Sequence, residues 1–145
     1  MEIDLNIIDA QVRHATNWKN LLLKFRGLEG NLKDRADYAH LDMAISASDS
    51  GAEYVVAAAN LPVVFTMMYT GNDVAKIVCT TANPFDLTER LHVLTFTLNT
   101  SGMTDFTSRA TSLLNLQDWA FHIQAIVMEK AVAVRAAKIA EFEAR

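Results

Sequence analysis

The sequence contains little of what defines most sites of chemistry. It has one cysteine, Cys79, in 145 residues, so it cannot form an internal disulfide or a cysteine-based zinc site. Its histidines, His14, His40, His92 and His122, show no HExxH or HxH spacing. The 5 glycines occur singly, without the spacing of a phosphate-binding loop. We therefore expect no cofactor and no metal.

Clusters of positive charge and long apolar runs are missing as well. The formal net charge is −4, and the absence of a Lys/Arg cluster argues against a nucleic-acid partner. The absence of 18 consecutive apolar residues argues against a membrane span. The start, MEIDLNIID, lacks the basic region and apolar run of a signal peptide, so we expect a cytoplasmic protein. With 51% apolar residues, the chain is predicted to be globular and to form a single domain over 1–145.

The N-terminal region has the apolar spacing of an amphipathic helix. The predicted apolar face consists of Ile8, Val12, Ala15, Trp18, Leu22 and Phe25. Gly27 or Gly30 is expected to end the helix, because glycine is common just past a helix C-terminus. The polar stretch 31–39 is expected to be a loop or a short helical turn.

The middle of the chain is dominated by strand patterns. HLDMAISAS, starting at His40, alternates with a period of two, which predicts a strand. AEYVVAAAN, ending at Asn60, fits a strand slightly better than a helix, because Tyr54, Val55 and Val56 favour strands. VVFTMMYTGNDVAKIVCTT predicts a hairpin with its turn at TGND. Its second arm, 74–81, also fits a helical face, so strand and helix both stay open there.

LHVLTFTLN, at 91–99, gives the clearest strand prediction. Strict alternation places His92, Leu94, Phe96 and Leu98 on one face, and Leu91, Val93, Thr95 and Thr97 on the other. From Thr104 the chain is expected to be helical to its end, with a break near Asn115. The predicted fold class is α+β: an antiparallel sheet of three to five strands, flanked by the N-terminal amphipathic helix and a long C-terminal helix.

The C-terminal helix has two apolar faces. One is broad, includes Trp119 and suits packing on the sheet, so Trp119 and Trp18 of the first helix are expected to be buried. The second face consists of Phe121, Met128, Val132, Ile139 and Phe142, and its first four members have the 7-4-7 spacing of a heptad seam. The helix would be about 43 Å long, whereas a domain of this size is about 35–40 Å across. We therefore predict that the distal part of this seam contacts another chain.

These patterns lead to two functional hypotheses from different classes. The first is a non-enzymatic protein-interaction or assembly protein, which self-associates or binds a protein partner through the second face of its C-terminal helix. A chaperone-like adaptor and a building block of a larger assembly, such as a phage particle, both fit it. In size and charge alone the chain resembles bacterial secretion chaperones. The alternative is a small-ligand-binding protein or enzyme, with a pocket between sheet and helices lined by His92, Thr95 and Thr97.

Two further groups of reactive side chains have structural interpretations. Cys79 lies in an apolar run and is expected to be buried and unreactive. The acidic pairs Asp34/Asp37 and Asp86/Glu89 lie in polar connecting segments, where helix caps and solvated loop charges explain them.

Overall fold

The computed structural model describes residues 1–38, 42–108 and 112–145. It consists of an N-terminal helix α1 (Ile7–Tyr38), a 7-stranded antiparallel sheet and a C-terminal helix α2 (Leu116–Glu143), so the predicted α+β class is confirmed. The strands are β1 (Met43–Ala47), β2 (Glu53–Ala58), β3 (Leu61–Tyr69), β4 (Val74–Asn83), β5 (Asp86–Asn99), β6 (Met103–Ser108) and β7 (Ser112–Asn115). They follow one another across the sheet in chain order, as expected when each connection is short.

The prediction of three to five strands is wrong, because β6 and β7 lie where the sequence predicted helix. Thr104 is buried here, and its hydroxyl donates to the carbonyl of Leu114 across the β6–β7 pair at 2.7 Å. Helix α2 begins only after Asn115, whose backbone is extended and whose side-chain oxygen accepts from the Asp118 N–H at 2.7 Å. An asparagine N-cap starts a helix, so the break predicted near this residue is the true beginning of α2.

Helix α1 continues past both glycines that were expected to end it. Leu28 and Leu32, one on either side of Gly30, are fully buried and extend the apolar stripe begun by Leu21 and Phe25. Burial of a leucine contributes about 1.5–3 kcal/mol, which exceeds the cost of about 1 kcal/mol for a glycine inside a helix. The stretch 31–39, predicted to be a loop or a short helical turn, is instead a continuation of α1 as far as Tyr38. His40 and Leu41 of the first predicted strand lie outside the described residues.

Both segments left open between strand and helix form strands. β2 and β4 each alternate between buried and less buried residues, as strands do when one face of a sheet is covered. In β4 the fully buried members include Ala75, Ile77 and Cys79. The predicted 63–81 hairpin is thereby confirmed as the β3–β4 pair, with its turn at Gly71 in the left-handed region (φ 95°).

A β-bulge in β5 changes which side chains face the core. Cys79 pairs with Leu94, but the next residue, Thr80, pairs with His92, so Val93 is an extra residue in β5. An extra residue reverses the alternation of a strand. The face assignment is therefore wrong for the first residues of the strand: Leu91 and Val93 point into the core and His92 points away, whereas Phe96 and Leu98 are buried as predicted.

The core lies between one face of the sheet and the two helices. α2 lies over β3, β4 and β5, and α1 packs beside it and against β1. The Phe25 ring of α1 meets the Tyr54 ring of β2 edge to face, with the ring centres 4.9 Å apart. Trp18 and Trp119 are only partly buried against this core, although the sequence predicted their burial. Among the described residues, no helix is long and apolar enough to cross a membrane.

Candidate functional site

The second face of α2 is covered near its start and exposed towards its end. Phe121 and Met128 are partly buried and pack against the core, and Ile139 is partly buried as well. Val132 is 47% exposed and Phe142 is 53% exposed. The chain itself therefore covers the proximal part of the predicted seam. Contact of the distal part with another chain stays a prediction.

The distal end of α2 meets the tip of the β4–β5 hairpin. The ring of Phe142 stacks on the ring of Phe85, with centres 4.1 Å apart and planes inclined by 15°. Phe85 is itself 49% exposed. We call Phe85, Ile139 and Phe142 the distal patch. Sequence analysis missed Phe85, which lies between the predicted hairpin that ends at Thr81 and the predicted strand that begins at Leu91.

The rim of the distal patch is charged, and its charges are mostly engaged within the chain. Glu141 is approached by the Nζ atom of Lys138 at 3.5 Å and by a guanidinium nitrogen of Arg145 at 3.3 Å. Asp86, the first residue of β5, accepts from the hydroxyl and the backbone N–H of Thr88 at 2.6 and 3.1 Å. These bonds lower the pKa of the Asp86 carboxyl, as expected for a carboxylate that caps a turn. An apolar centre with a polar rim is the usual anatomy of a protein–protein contact.

The three residues of the predicted pocket lie together, but on the face of the sheet away from the helices. His92 Nε2 is 2.8 Å from the Thr95 hydroxyl, and the Thr97 N–H donates to an Asp105 carboxylate oxygen at 2.9 Å. His92 and Thr95 are exposed, and Thr97 is partly exposed. The bulge at Val93 turns His92 to the outer face. The prediction that these side chains line a cavity between sheet and helices is therefore wrong in its location.

A groove does exist between the two helices. It has a volume of about 590 Å³ and lies where the middle of α1, the β5–β6 turn and the first turn of α2 meet. Lys24, Arg26, Asp34 and Asp118 line it, and beside it the Asn31 side-chain amide donates to the Gln117 carbonyl at 2.8 Å. Its two positive and two negative side chains give it mixed charge. Sequence reasoning missed this groove because its walls are about ninety residues apart in the chain.

The cysteine and two of the histidines are buried or in contact with other side chains of the chain. Cys79 is fully buried, as predicted, and desolvation raises the pKa of its thiol to about 12, so the thiol is neutral at physiological pH. His14 Nδ1 is 2.7 Å from the Tyr69 hydroxyl and joins α1 to the end of β3. His122 lies against Trp119, with ring centres 5.1 Å apart. Among the described residues, no group of three or more His, Cys, Asp or Glu side chains is arranged to hold a metal ion.

The start of α1 is a second exposed apolar surface, which the sequence placed in the core. Ile8 and Val12 are 62% and 61% exposed, although both belong to the predicted core face of this helix. Ala15 is exposed too, Trp18 and Leu22 are partly buried, and the same face is fully buried only at Phe25. The first turns of α1 therefore extend past the apolar surface that the sheet and α2 provide.

Family models, curated proteins and solved structures yield no match to this chain. Its function must therefore be inferred from its own geometry.

Proposed function

We propose that this chain is a non-enzymatic protein-interaction or assembly protein of the cytoplasm, which self-associates or binds a protein partner through the distal part of α2. The observation that carries the proposal is the distal patch. Phe85 and Phe142 form an aromatic stack that leaves about half of each residue exposed. Aromatic side chains contribute large contact area at interfaces at a low cost in conformational entropy.

The surroundings of the patch support the same proposal. Leu87, on the same hairpin as Phe85, is 76% exposed, and Val132, on the same side of α2, is 47% exposed. Exposed apolar side chains scattered singly are normal on a protein surface, but the apolar side chains exposed on these two elements include an aromatic pair in contact, which is typical of a binding site. A chaperone-like adaptor and a component of a larger assembly would both use such a surface.

The test is a double substitution that leaves the core intact. In Val132→Glu/Phe142→Glu, both altered residues are about half exposed, so we expect the loss of stability to stay near the worth of the aromatic stack, about 0.5–1.5 kcal/mol. The mass of an assembly held by the distal part of α2, measured by light scattering, should fall. Crosslinking to a partner in cells that express the chain should be lost. The matched control is Met68→Ser, which changes an apolar residue that is 55% exposed on the outer face of the sheet. Unchanged mass and unchanged crosslinking in the double variant would contradict the proposal.

A second candidate function is small-ligand binding in the groove between α1 and α2. The observation that favours it is the volume of about 590 Å³, which lies within the range of about 300–1,000 Å³ of ligand pockets. Its mixed lining suits a zwitterionic or polar ligand, with Arg26 facing an anionic group and Asp34 a cationic one. A panel of such compounds should raise the melting temperature, and Arg26→Gln/Asp34→Asn should abolish the rise. If no compound raises the melting temperature, this candidate is rejected.

A further inference from the structure

The first turns of α1 carry an apolar seam that the fold does not use. α1 reaches the sheet at His14 and Asn17, which bond Tyr69 and the carbonyl of Asn72. Before that point Leu5, Ile8 and Val12 are 88%, 62% and 61% exposed. Isoleucine and valine are also weaker helix formers than alanine or leucine. Local propensity therefore does not account for these side chains, whereas burial against a partner would.

The spacing of this seam is that of a coiled coil. Leu5, in the turn immediately before α1, is followed within the helix by Ile8, Val12 and Ala15. Their separations of 3, 4 and 3 residues are those of the a and d positions of a heptad. At 100° per residue, the mean direction of Ile8, Val12 and Ala15 lies about 140° around the helix from the stripe that α1 buries in the core. That stripe consists of Leu21, Phe25, Leu28 and Leu32. The seam therefore faces away from the chain's own body and is open to another helix.

The charges along α1 indicate which helix would fit. The first 12 residues contain the acids Glu2, Asp4 and Asp9 and no Lys or Arg, whereas 13–26 contain Arg13, Lys19, Lys24 and Arg26 and no acid. In an antiparallel pair of α1 helices, the acidic segment of each copy lies beside the basic segment of the other. A parallel pair would set like charges against each other. Such complementarity contributes more to orientation and partner choice than to affinity.

We propose that a second copy of this chain docks antiparallel on the seam of α1. With the two-fold axis at the level of Ala10, Ile8 packs against Val12 of the second copy, and Leu5 packs against Ala15 of the second copy. Symmetry repeats both contacts, which gives four layers, each pairing a larger with a smaller side chain. Thr16 lies beside the seam, and its hydroxyl already donates to the Val12 carbonyl at 2.9 Å. Formation of the dimer therefore does not bury this hydroxyl as an unpaired donor.

This dimer goes beyond the proposed function, since it uses the opposite end of the molecule and names the partner. The seam from Leu5 to Ala15 is about 15 Å long, which places the contact at the small end of specific interfaces. We therefore expect a dimer that dissociates in the micromolar range and exchanges subunits readily. Its mass should not change in Val132→Glu/Phe142→Glu, so failure of the distal patch and failure of the α1 dimer are distinguishable.

The first experiment exchanges charges. Asp4→Lys/Asp9→Lys leaves only basic charges in residues 4–19, and Arg13→Glu/Lys19→Glu leaves only acidic charges there. By native mass spectrometry each variant alone is expected to be monomeric, and their mixture is expected to form a one-to-one heterodimer. Circular dichroism checks that both variants fold. The control is Leu23→Ser, which removes an apolar residue on α1 that is 67% exposed but lies about two turns beyond Ala15, past the end of the seam, and which should leave the wild-type dimer intact. A wild-type chain that stays monomeric into the hundreds of micromolar, or a mixture that stays monomeric, would overturn the proposal.

The second experiment fixes the orientation without changing any charge. Chains carrying Leu5→Cys are mixed with chains carrying Ala15→Cys under mild oxidation. In the antiparallel dimer these two positions face each other, so a disulfide should join one chain of each kind. Each variant alone should give little dimer, because like positions lie far apart along the axis. Efficient self-crosslinking of Leu5→Cys would show a parallel arrangement, and absence of the mixed disulfide would show that the seam is not the contact.

Discussion

The outer ends of the two helices have similar apolar spacing but different surroundings. α2 ends with Phe142 stacked on Phe85 of the chain's own hairpin. α1 begins with Ile7 and Ile8, which are 57% and 62% exposed. Apolar spacing therefore identifies a helix face that needs a cover, but it does not identify the cover. For α2 the cover is partly intramolecular, and for α1 we propose a second copy.

The length of β5 explains this difference. β5 has 14 residues, and at about 3.3 Å per residue it spans about 46 Å. This matches the length of α2, whose 28 residues span about 42 Å. The hairpin before β5 therefore reaches the last turns of α2. α1 meets the sheet at the β3–β4 turn, where His14 bonds Tyr69, and its earlier residues extend beyond that turn.

The largest loss of stability is expected from a substitution in the buried part of α1. Phe25→Ala should lower the free energy of unfolding by about 3–5 kcal/mol, because Phe25 is fully buried and packs on Tyr54. Urea denaturation followed by circular dichroism measures this loss. A loss below about 1 kcal/mol would mean that α1 does not pack on the sheet through this residue.

Alkaline pH should lower the free energy of unfolding through Cys79, which lies on the covered face of the sheet. The pKa of Cys79 is raised to about 12 in the folded chain, above its ordinary value near 9. Because the unfolded thiol ionises first, stability from this group is fully present below pH 9 and is lost as the pH rises towards 12, by up to about 1.4 kcal/mol per pH unit.

Two controls accompany this prediction. Stability is compared between pH 9 and 10, because burial also raises the pKa of Tyr54, which contributes at higher pH. Cys79→Ala should remove the dependence in this window. Wild-type Cys79 should react with a thiol reagent only at the rate of unfolding. Fast labelling of the folded chain would show that the thiol is accessible.

A smaller effect is expected at the end of α2. Phe85→Ala, Phe142→Ala and the double variant form a thermodynamic cycle whose coupling energy should be about 0.5–1.5 kcal/mol, the usual worth of an aromatic pair. Chemical denaturation of the four proteins gives this value. A coupling energy of zero would mean that the two rings do not stack in solution, and the ends of α1 and α2 would then be equally uncovered.

The smallest effect is expected at the exposed end of α1. Val12→Ala, measured at protein concentrations low enough to keep the chain monomeric, should change stability by less than about 0.5 kcal/mol or raise it slightly, since alanine is the better helix former. Thermal unfolding followed by circular dichroism checks this. A loss of more than about 1 kcal/mol would place Val12 in an intramolecular contact.

Local patterns in the sequence predicted the α+β class, both terminal helices and the β3–β4 hairpin. They failed where a competing interaction decided the outcome. Gly27 and Gly30 did not end α1, because Leu28 and Leu32 on the next turns are buried. β6 and β7 were predicted as helix. That prediction failed because these short strands become favourable only beside β5, where Leu98 pairs with Thr104.

The candidate sites, too, could be predicted only in part from local patterns. Val132 and Phe142 of the seam predicted on α2 are exposed, and their contact with another chain stays a prediction. Phe85 could not be linked to that seam from sequence, because it is 57 positions away from Phe142. The cluster of His92 and Thr95 depends on the bulge at Val93, and a one-residue irregularity leaves no reliable periodic signal.

The sequence by itself determined which segments are apolar on one side, where the charges of α1 change sign, and that one thiol lies in an apolar run. These properties depend on residue type and spacing alone. Only the tertiary structure decided which apolar faces are covered. Cover depends on the lengths of elements far apart in the chain, here the reach of the β4–β5 hairpin along α2 and the point where α1 passes beyond the β3–β4 turn.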